Sequence, residues 1–218
     1  MKDLHNHILY GIDDGPENIK DSIAILKQAE ASGYTDLITT PHYRPSEGYV
    51  ADKEKEEKRI NKLRELAKKE NININIHLGC EITLDDDTLY LLDSKQIATL
   101  ANSRYILIEL PFFERLNNLD ELLDGFKERK LIPIIAHPER CHGYSINDYK
   151  ILIDKGVLLQ GNYESLYSKY GKKAKKRLEK MLKNHMLSFI GSDTHNPEHN
   201  SFEKIRAVKE RLNNLTKS

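Results

Sequence analysis

Histidine and acidic side chains in this sequence are spaced as metal ligands would be. His5 and His7 lie two residues apart near the start of the chain, and alternate side chains of an extended segment share one face. Both imidazoles can therefore reach the same ion at the end of that segment. Asp193 and His195 repeat the spacing far along the chain. The two pairs together predict a metal centre.

Further donors lie at or just after the ends of apolar runs. The candidate ligands are His5, His7, Asp14, His42, Glu81, Glu109, His137, Asp193 and His195. A tetrahedral ion needs about four ligands, so this surplus predicts two or three ions bridged by carboxylates. Nitrogen and oxygen donors without thiolate suit manganese, iron or zinc. Ions roughly 3.5 to 4 Å apart can clamp the oxygens of a phosphoryl group, so we expect hydrolysis of a phosphate ester.

Some residues near these ligands leave alternatives open. Asp14 competes with Asp13, which could instead cap a helix that begins near Pro16. Outside the ligand pattern, His142 and His199 lie close enough in sequence to candidate ligands to support them.

Cysteine chemistry is disfavoured. A phosphocysteine mechanism needs an arginine six positions after the thiolate to bind the phosphate. The residues at that spacing from Cys80 and Cys141 are Asp86 and Asn147. We expect both thiols to pack in the core.

Composition limits the class of protein. A chain of 218 residues with 34 basic and 34 acidic side chains predicts one domain over residues 1–218. Its zero net charge argues against nucleic acid or an acidic membrane surface as the partner. Two cysteines are too few for a disulfide framework, and the first residues lack the apolar run of a signal peptide. We therefore expect a cytoplasmic protein without membrane insertion.

Short β-branched runs alternate with amphipathic stretches, a pattern typical of parallel β/α units. The predicted strands are 3–7, 36–40, 74–78, 105–110, 132–137, 157–161 and 187–191. The predicted helices are 19–31, 51–69, 119–129, 146–154, 172–184 and 201–212. No Gly-x-Gly-x-x-Gly motif follows the first strand, which weakens a dinucleotide-binding fold. Because candidate ligands follow nearly every strand, the sequence favours a distorted TIM-like barrel of about seven strands.

Two segments are rich in charge. Residues 51–70 carry both signs, with Ile60 and Leu63 at helical spacing, and predict a solvated outer helix. Residues 169–183 are basic and begin Lys-Tyr-Gly-Lys-Lys-Ala-Lys-Lys-Arg. An exposed helix face or an anion-binding patch would explain this second segment, and the exposed face is the commoner case.

Six motifs follow one another through almost the whole chain. They are Asp3-x-His5-x-His7 with Gly11-Ile-Asp-Asp-Gly-Pro16, Thr40-Pro41-His42-Tyr43, Gly79-x-Glu81-Ile82, Ile108-Glu109-Leu110-Pro111, Ala136-His137-Pro138-Glu139-Arg140, and Gly191-Ser192-Asp193-x-His195-Asn196. This set resembles the polymerase and histidinol phosphatase (PHP) superfamily. Within it, the motifs are similar to those of bacterial manganese-dependent protein tyrosine phosphatases from capsule and exopolysaccharide gene clusters.

The resemblance implies a PHP fold, a (β/α)7 barrel, with a trinuclear site that takes manganese. It implies one ion on His5, His7, Glu81 and Asp193, a second on Glu81, Glu109 and His137, and a third on Asp14, His42 and His195. Glu81 would bridge the first two ions. A hydroxide between them would attack phosphorus without a phosphoenzyme intermediate.

The resemblance also implies that Arg140 binds the phosphoryl oxygens, and its planar guanidinium matches phosphate. Related proteins often carry a second arginine shortly after the Asp-x-His pair. This chain reads Asn-Pro-Glu-His-Asn over 196–200, and its next arginine is Arg206. Arg44 or His199 could supply the missing contact.

The implied substrate is a phosphotyrosyl protein, with a membrane-anchored bacterial tyrosine kinase as the cognate partner. Tyrosine is a plausible leaving group because its pKa is about 10. The alternative enzyme is a PHP phosphoesterase acting on a small metabolite such as histidinol phosphate.

Three further classes fit less well. Amidohydrolases also begin with His-x-His, but Glu109 stands where they carry a bridging lysine. PHP nucleases share the ligands, and the neutral net charge argues against that role. A non-catalytic scaffold would not require the full ligand set together with Arg140.

Overall fold

Strands and helices alternate along the chain in the computed structural model, which describes residues 1–198 and 202. The strands are β1 Lys2–Asn6, β2 Asp36–Thr39, β3 His42–Tyr43, β4 Asn75–Leu78, β5 Glu81–Thr83, β6 Tyr105–Glu109, β7 Ile132–Ala136, β8 Leu158–Asn162 and β9 Phe189–Gly191. The α-helices are α1 Ile19–Ala31, α2 Lys53–Lys69, α3 Thr88–Asp93, α4 Leu119–Glu128, α5 Ile146–Asp154 and α6 Gly171–Lys183. Short 3₁₀ helices cover Pro45–Glu47, Leu100–Asn102 and Tyr163–Tyr167. None of the helices in the described part is long and apolar enough to cross a membrane.

The strands pair in parallel and form two sheets, which confirms the predicted α/β class. One sheet has the order β1-β2-β4, and the other has the order β3-β5-β6-β7-β8-β9. Beyond these ladders, Asn6 at the end of β1 pairs with Thr194 after β9, and the His7 N–H donates to the Thr194 carbonyl at 2.9 Å. The first and last strands therefore meet at their carboxyl ends. Within the described residues, the ladders remain two sheets rather than one continuous ring.

Two of the predicted strands are each followed, after a short break, by a second strand that the sequence pattern did not indicate. Strand β2 stops before Pro41, which has no N–H to donate, and β3 resumes at His42. Strand β4 stops before Gly79, where a Cβ atom would lie only 2.7 Å from Leu100 Cδ2. The resumed strands β3 and β5 pair His42 with Glu81. The interruptions thus bring two candidate ligands into register.

Two large apolar clusters hold the strands against the helices. Ile25 of α1 and Leu63 of α2 pack with Leu37 of β2 in the first cluster. Ile108 of β6 and Phe126 of α4 belong to the second. Burying a side chain of this size stabilises the fold by about 1.5 to 3 kcal/mol. The polar strand ends are therefore held in place by close packing beneath them.

Local signals set where the helices begin. α1 coincides with the predicted range 19–31, because the Asn18 side chain accepts hydrogen bonds from two amides of its first turn. Ser145 starts α5 with a capping box. The six-residue α3 was not predicted. The predicted helix 201–212 lies outside the described residues except at position 202.

Candidate metal centre

Four buried side chains converge at the carboxyl ends of β1 and β9 and at the start of β5. We call His5, His7, Glu81 and Asp193 the inner set, and each is at most 3% exposed. His5 Nε2 lies 3.1 Å from Glu81 Oε2 and 3.3 Å from His7 Nε2. Asp193 Oδ1 lies 3.3 Å from the same His5 atom. Ligand atoms about 2.1 Å from a tetrahedral ion are roughly 3.4 Å apart, so this spacing fits one cation.

The second ring nitrogen of each inner histidine is already hydrogen-bonded. His5 Nδ1 lies 2.7 Å from Gln160 Oε1, and the Gln160 amide donates to the Gly161 carbonyl, which leaves its oxygen to accept from His5. His7 Nδ1 lies 2.7 Å from Asp13 Oδ2. In their neutral form, both imidazoles therefore keep the proton on Nδ1 and leave Nε2 free for a metal ion. Two nitrogen lone pairs and two carboxylates then face one another, and a cation is the group that satisfies them.

The electrostatics of the inner set indicate the same need for positive charge. Burial alone would lower the pKa of His5, but the carboxylates of Glu81 and Asp193 raise it to about 9. Burial would raise the pKa of Glu81, yet His5 and His42 hold it well below its usual range. In the metal-free protein, protons on the histidines therefore supply the positive charge that the carboxylates require. A bound divalent cation would supply the same charge.

Glu81 also faces a second group of donors. Its Oε1 lies 2.8 Å from His137 Nε2, which is 3.6 Å from Glu109 Oε1. His42 Nδ1 lies 3.3 Å from the other carboxylate oxygen of Glu81. His42, Glu81 and Glu109 are close enough to hold one ion together. Burial and the neighbouring Glu81 raise the pKa of Glu109. The two Glu81 oxygens thus face different donors, as a bridging carboxylate requires.

A third group, which we call the outer set, is His7, Asp14, His42 and His195. Asp14 Oδ1 lies 3.4 Å from His195 Nε2 and 3.6 Å from His42 Nε2. The ring of His7 stacks on that of His195, with centroids 4.0 Å apart. The Asp14 side chain is 44% exposed and that of His195 is 26% exposed. Water therefore reaches the outer set, whereas the inner set is closed.

Asp13 supports the histidines rather than capping a helix. Its Oδ2 accepts the backbone N–H of His42 at 2.9 Å as well as the His7 ring. Its Oδ1 accepts the Gly15 N–H at 3.0 Å, and a Cβ at Gly15 would lie only 2.1 Å from the His7 carbonyl oxygen. The alternative in which Asp13 caps the following helix is wrong, since α1 has its own cap further on. Asp14 is the residue that faces the donors.

Two of the donors lie on strained backbone. His137 and Asp193 have φ angles of 32° and 51°, in the left-handed region that non-glycine residues rarely adopt. Such conformations cost roughly 1 to 3 kcal/mol and persist where the surroundings enforce them. Next to Asp193, the Asp3 carboxylate accepts the Ser192 N–H at 3.0 Å and the Ser192 hydroxyl at 2.6 Å. Asp3 thus ties β1 to the loop that carries Asp193.

Arg140 lies beside the inner set, with its guanidinium in contact with two aromatic rings. Its Nη1 donates to Asp193 Oδ2 at 3.0 Å. Its Cζ lies 4.7 Å from the ring centre of Phe112 and 4.3 Å from that of Tyr170. Asn162 donates to the same Asp193 oxygen at 2.6 Å. Contact with two rings and with a carboxylate restricts the orientation of the guanidinium, which prepares its donors to meet an oxyanion.

Gln160, Asn162 and Tyr170 are site residues that the sequence reasoning missed. Gln160 and Asn162 lie two apart on β8, so they face the same side. This strand carries no histidine or acid at its end, and amides gave no metal signal. The available clue was that the two amides are two residues apart at the end of a strand, where other strands carry ligands. No feature of the sequence indicated that Tyr170 belongs to the site.

Arg44 lies beside the donors, but carboxylates already occupy its guanidinium. Its Nη2 donates to Glu109 Oε2 at 2.5 Å, and its Nε donates to the Thr83 hydroxyl at 3.3 Å. His142 packs instead near Phe113, with ring centroids 5.8 Å apart. His199 lies outside the described residues. Arg44, one of the two predicted candidates for a second phosphate contact, therefore lies near the metal donors.

A parallel β/α fold with clustered nitrogen and oxygen donors at its strand ends is the arrangement of metal-dependent hydrolases. The chain belongs to the family described as capsular polysaccharide synthesis, CpsB/CapC, whose model matches residues 1–215. This match confirms the resemblance that the six motifs indicated.

Individual relatives agree with the family. CapC of Staphylococcus aureus is 33% identical, over 100% of this chain and 89% of its own length. The tyrosine-protein phosphatase CpsB of Streptococcus pneumoniae is 32% identical, over 90% of this chain and 83% of its own length.

Solved structures show the same fold. One described as YwqE from Bacillus subtilis and CpsB from Streptococcus pneumoniae, metal-dependent tyrosine phosphatases, has a TM-score of 0.89 at 28% identity and covers 97% of this chain and 87% of that chain. A histidinol phosphate phosphatase from Lactococcus lactis has a TM-score of 0.57 at 13% identity, over 97% of this chain and 92% of that chain. The second likeness concerns the fold alone.

Proposed function

We propose that this protein is a metal-dependent phosphatase that hydrolyses phosphotyrosine on protein substrates. The observation that carries the proposal is the position of Arg140, which contacts two rings and bonds to Asp193 of the inner set. A guanidinium fixed beside clustered metal donors suits a phosphoryl group. Membership of the CpsB/CapC family and the likeness to metal-dependent tyrosine phosphatases support the same function.

The donors fit two or three divalent cations, and we propose manganese, with iron or zinc as alternatives. The inner set would hold one ion, Glu81, Glu109 and His137 a second, and Asp14, His42 and His195 a third. Bound cations would lower the pKa of water and offset the charge that develops on the phosphoryl group.

The protein's own residues would orient the substrate and hold the donors. Arg140 would donate to two phosphoryl oxygens, while its contact with Asp193 keeps it aligned with the inner set. Asp193 and His195 would act as metal ligands from the same loop. The position of that loop would therefore set the positions of the inner and outer ions together. Arg44 or His199 would provide the second phosphate contact. The phenolate of tyrosine leaves readily because its pKa is about 10.

The physiological substrate in this proposal is a membrane-anchored bacterial tyrosine kinase, and the reaction takes place in the cytoplasm. The family description, capsular polysaccharide synthesis, supports a substrate within that system. Cys80 and Cys141 are free, buried thiols, which suits a reducing compartment. Phosphate release from the phosphorylated tail of such a kinase is the direct test of this partner.

A substrate comparison with the manganese-loaded protein tests the function. We expect kcat/KM for a phosphotyrosyl peptide to exceed that for histidinol phosphate by about tenfold or more. The variant Arg140→Lys keeps the charge but loses the planar fork, and should lower kcat/KM roughly 10- to 100-fold with its metal content unchanged. Faster turnover of histidinol phosphate would support the small-metabolite alternative. No phosphate release from either substrate would refute phosphatase activity.

A further inference from the structure

Helix α6 presents a lysine-rich face to solvent, which the partly buried Glu179 borders on one side. Its members are exposed and are Lys172, Lys173, Lys176, Lys180 and Lys183. At about 100° per residue these positions fall within an arc of roughly 100°, away from the buried Ala174, Leu178 and Met181. Within the part of the chain that the structure describes, the lysines in ion pairs are Lys27, Lys53, Lys155 and Lys169. None of them belongs to the lysine face.

The first turn of α6 runs against the preference for acids at helix N-termini. It contains Lys172 and Lys173 but no acid, and the side chain of Tyr170 at its N-cap forms no capping hydrogen bond. Because the helix dipole is positive at this end, lysines there destabilise the helix. The lysine-rich α2 also begins with two lysines, but Glu54 and Glu56 in the same turn offset them. The first turn of α6 thus lacks the acids that balance the lysines of α2, and such a departure from a local rule is expected where a surface has a function.

The basic start of α6 lies next to the phosphate-binding arginine. Tyr170, directly before α6, stacks on Arg140 and lies 3.4 Å from Asp193 Oδ2. Arg177, beside the lysine face, donates to three carbonyl oxygens in the loop 138–144. That loop carries Arg140. The lysine face therefore begins at the rim of the candidate site and leads away from it.

We propose that the lysine face binds an acidic stretch of polypeptide next to the phosphotyrosine of the substrate. This inference rests on the proposed phosphatase function, because a phosphotyrosine held by Arg140 brings its flanking residues to the start of α6. The 13 residues of α6 span about 20 Å, the length of about six residues of extended chain. Attraction between opposite charges extends over about 8 Å at physiological salt, so flanking carboxylates in this range reach the lysines.

Three substrates separate docking from catalysis. They are p-nitrophenyl phosphate, a phosphotyrosyl peptide with serine flanks, and the same peptide with glutamate flanks. For the manganese-loaded protein, we expect kcat/KM to be about tenfold higher with glutamate than with serine flanks at low salt. The difference should shrink as salt is added.

A charge-reversal pair tests whether α6 is responsible. The variant Lys172→Glu/Lys176→Glu changes two exposed residues of the lysine face, and a glutamate at position 172 suits the helix dipole. The matched control Lys58→Glu/Lys62→Glu makes the same change at the same spacing on exposed positions of α2. The α6 variant should lose the roughly tenfold preference for glutamate flanks while its turnover of p-nitrophenyl phosphate changes less than about twofold. The α2 variant should keep the preference.

Several outcomes would overturn the docking proposal and leave the phosphatase function intact. These are equal turnover of both peptides by the unmodified protein, equal losses in the α6 and α2 variants, or loss of p-nitrophenyl phosphate turnover in a folded α6 variant. Sedimentation with phosphatidylserine vesicles, without any flank preference, would overturn it in favour of a membrane surface. Failure to release phosphate from any phosphotyrosyl peptide would instead refute the function on which the proposal rests.

Discussion

The inner and outer sets use the same kinds of donor but have different surroundings. In the inner set, His5, Glu81 and Asp193 are almost completely buried. In the outer set, the Asp14 and His195 side chains are 44% and 26% exposed. Charges interact more strongly where water is excluded. Donors of one chemical type can therefore differ greatly in how firmly they hold a cation.

The two sets also differ in how their histidines are supported. The ring of His5 bonds to Gln160, which is itself held by the backbone. The Nδ1 atom of His195 lies 2.9 Å from the Asp193 carbonyl of its own exposed loop. A rigid second partner raises ligand basicity and fixes the ring. We therefore expect the inner ion to be bound tightly and the outer ion to exchange.

The largest expected effect comes from removing one carboxylate charge from each set. Asp193→Asn should lower kcat/KM by more than about 100-fold, because loss of even a supporting partner of a metal ligand costs roughly 10- to 100-fold. Asp14→Asn should cost only about tenfold, since water can replace an exposed ligand. Metal analysis should find fewer tightly bound ions in the Asp193 variant. Equal losses in both variants would remove the distinction between the sets.

The pH dependence of metal binding should differ between the sets. In the metal-free protein the pKa of His5 is raised to about 9, so below that pH a cation must displace its proton. Displacing the His5 proton should make the inner affinity rise by up to about tenfold per pH unit between pH 6.5 and 9, whereas the raised pKa of His7 affects both sets, which share this residue. Burial lowers the pKa of His42 to about 3, so this outer ligand is already neutral and the outer affinity should vary less. Calorimetric titration in buffers of different ionisation enthalpy counts the protons released.

The same shift predicts how the stability of the metal-free protein depends on pH. The raised pKa of His5 adds stability that is fully present below its ordinary value of 6.5 and is lost as pH rises through about 9. The unfolding temperature of metal-free protein should fall over that range. Metal-loaded protein should show a smaller fall, and an identical fall in both forms would contradict proton displacement at the inner set.

A smaller effect should follow from removing the support behind His5. Gln160→Leu takes away the acceptor of the His5 ring proton and should weaken inner metal binding roughly 10- to 100-fold. Ser22→Ala, at a buried position in α1, is the control for general disturbance of the core. Unchanged affinity in the Gln160 variant would mean that burial alone orients the imidazole.

The smallest predicted effect concerns the ring that stacks on Arg140. Tyr170→Leu should raise KM for a phosphotyrosyl peptide by about three- to tenfold, because the guanidinium loses one of its two stacking partners. Tyr170→Phe keeps the ring and should change KM less than about twofold. A larger effect of the Phe variant would assign the role to the hydroxyl, which lies 3.4 Å from Asp193.

Periodicity and capping residues made much of the fold predictable. α1 and α5 have the predicted bounds, since their apolar spacing and their caps at Asn18 and Ser145 are local properties of the chain. The breaks before Pro41 and at Gly79 escaped prediction. The first follows from the missing N–H of Pro41, a local signal that the strand prediction did not use. The second depends on close approach of Leu100 and β2 to Gly79, which a local pattern does not contain.

By itself, the sequence determined the order of strands and helices, the donor types at the strand ends, and the family that the motifs resemble. Only the tertiary structure decided which donors face one another, that Asp13 supports histidines, and that Gln160 and Tyr170 belong to the site. The physical reason is the separation along the chain over which each effect acts. Propensity and capping act within a few residues, whereas a shared ion site depends on strand register and on burial by segments distant in the chain.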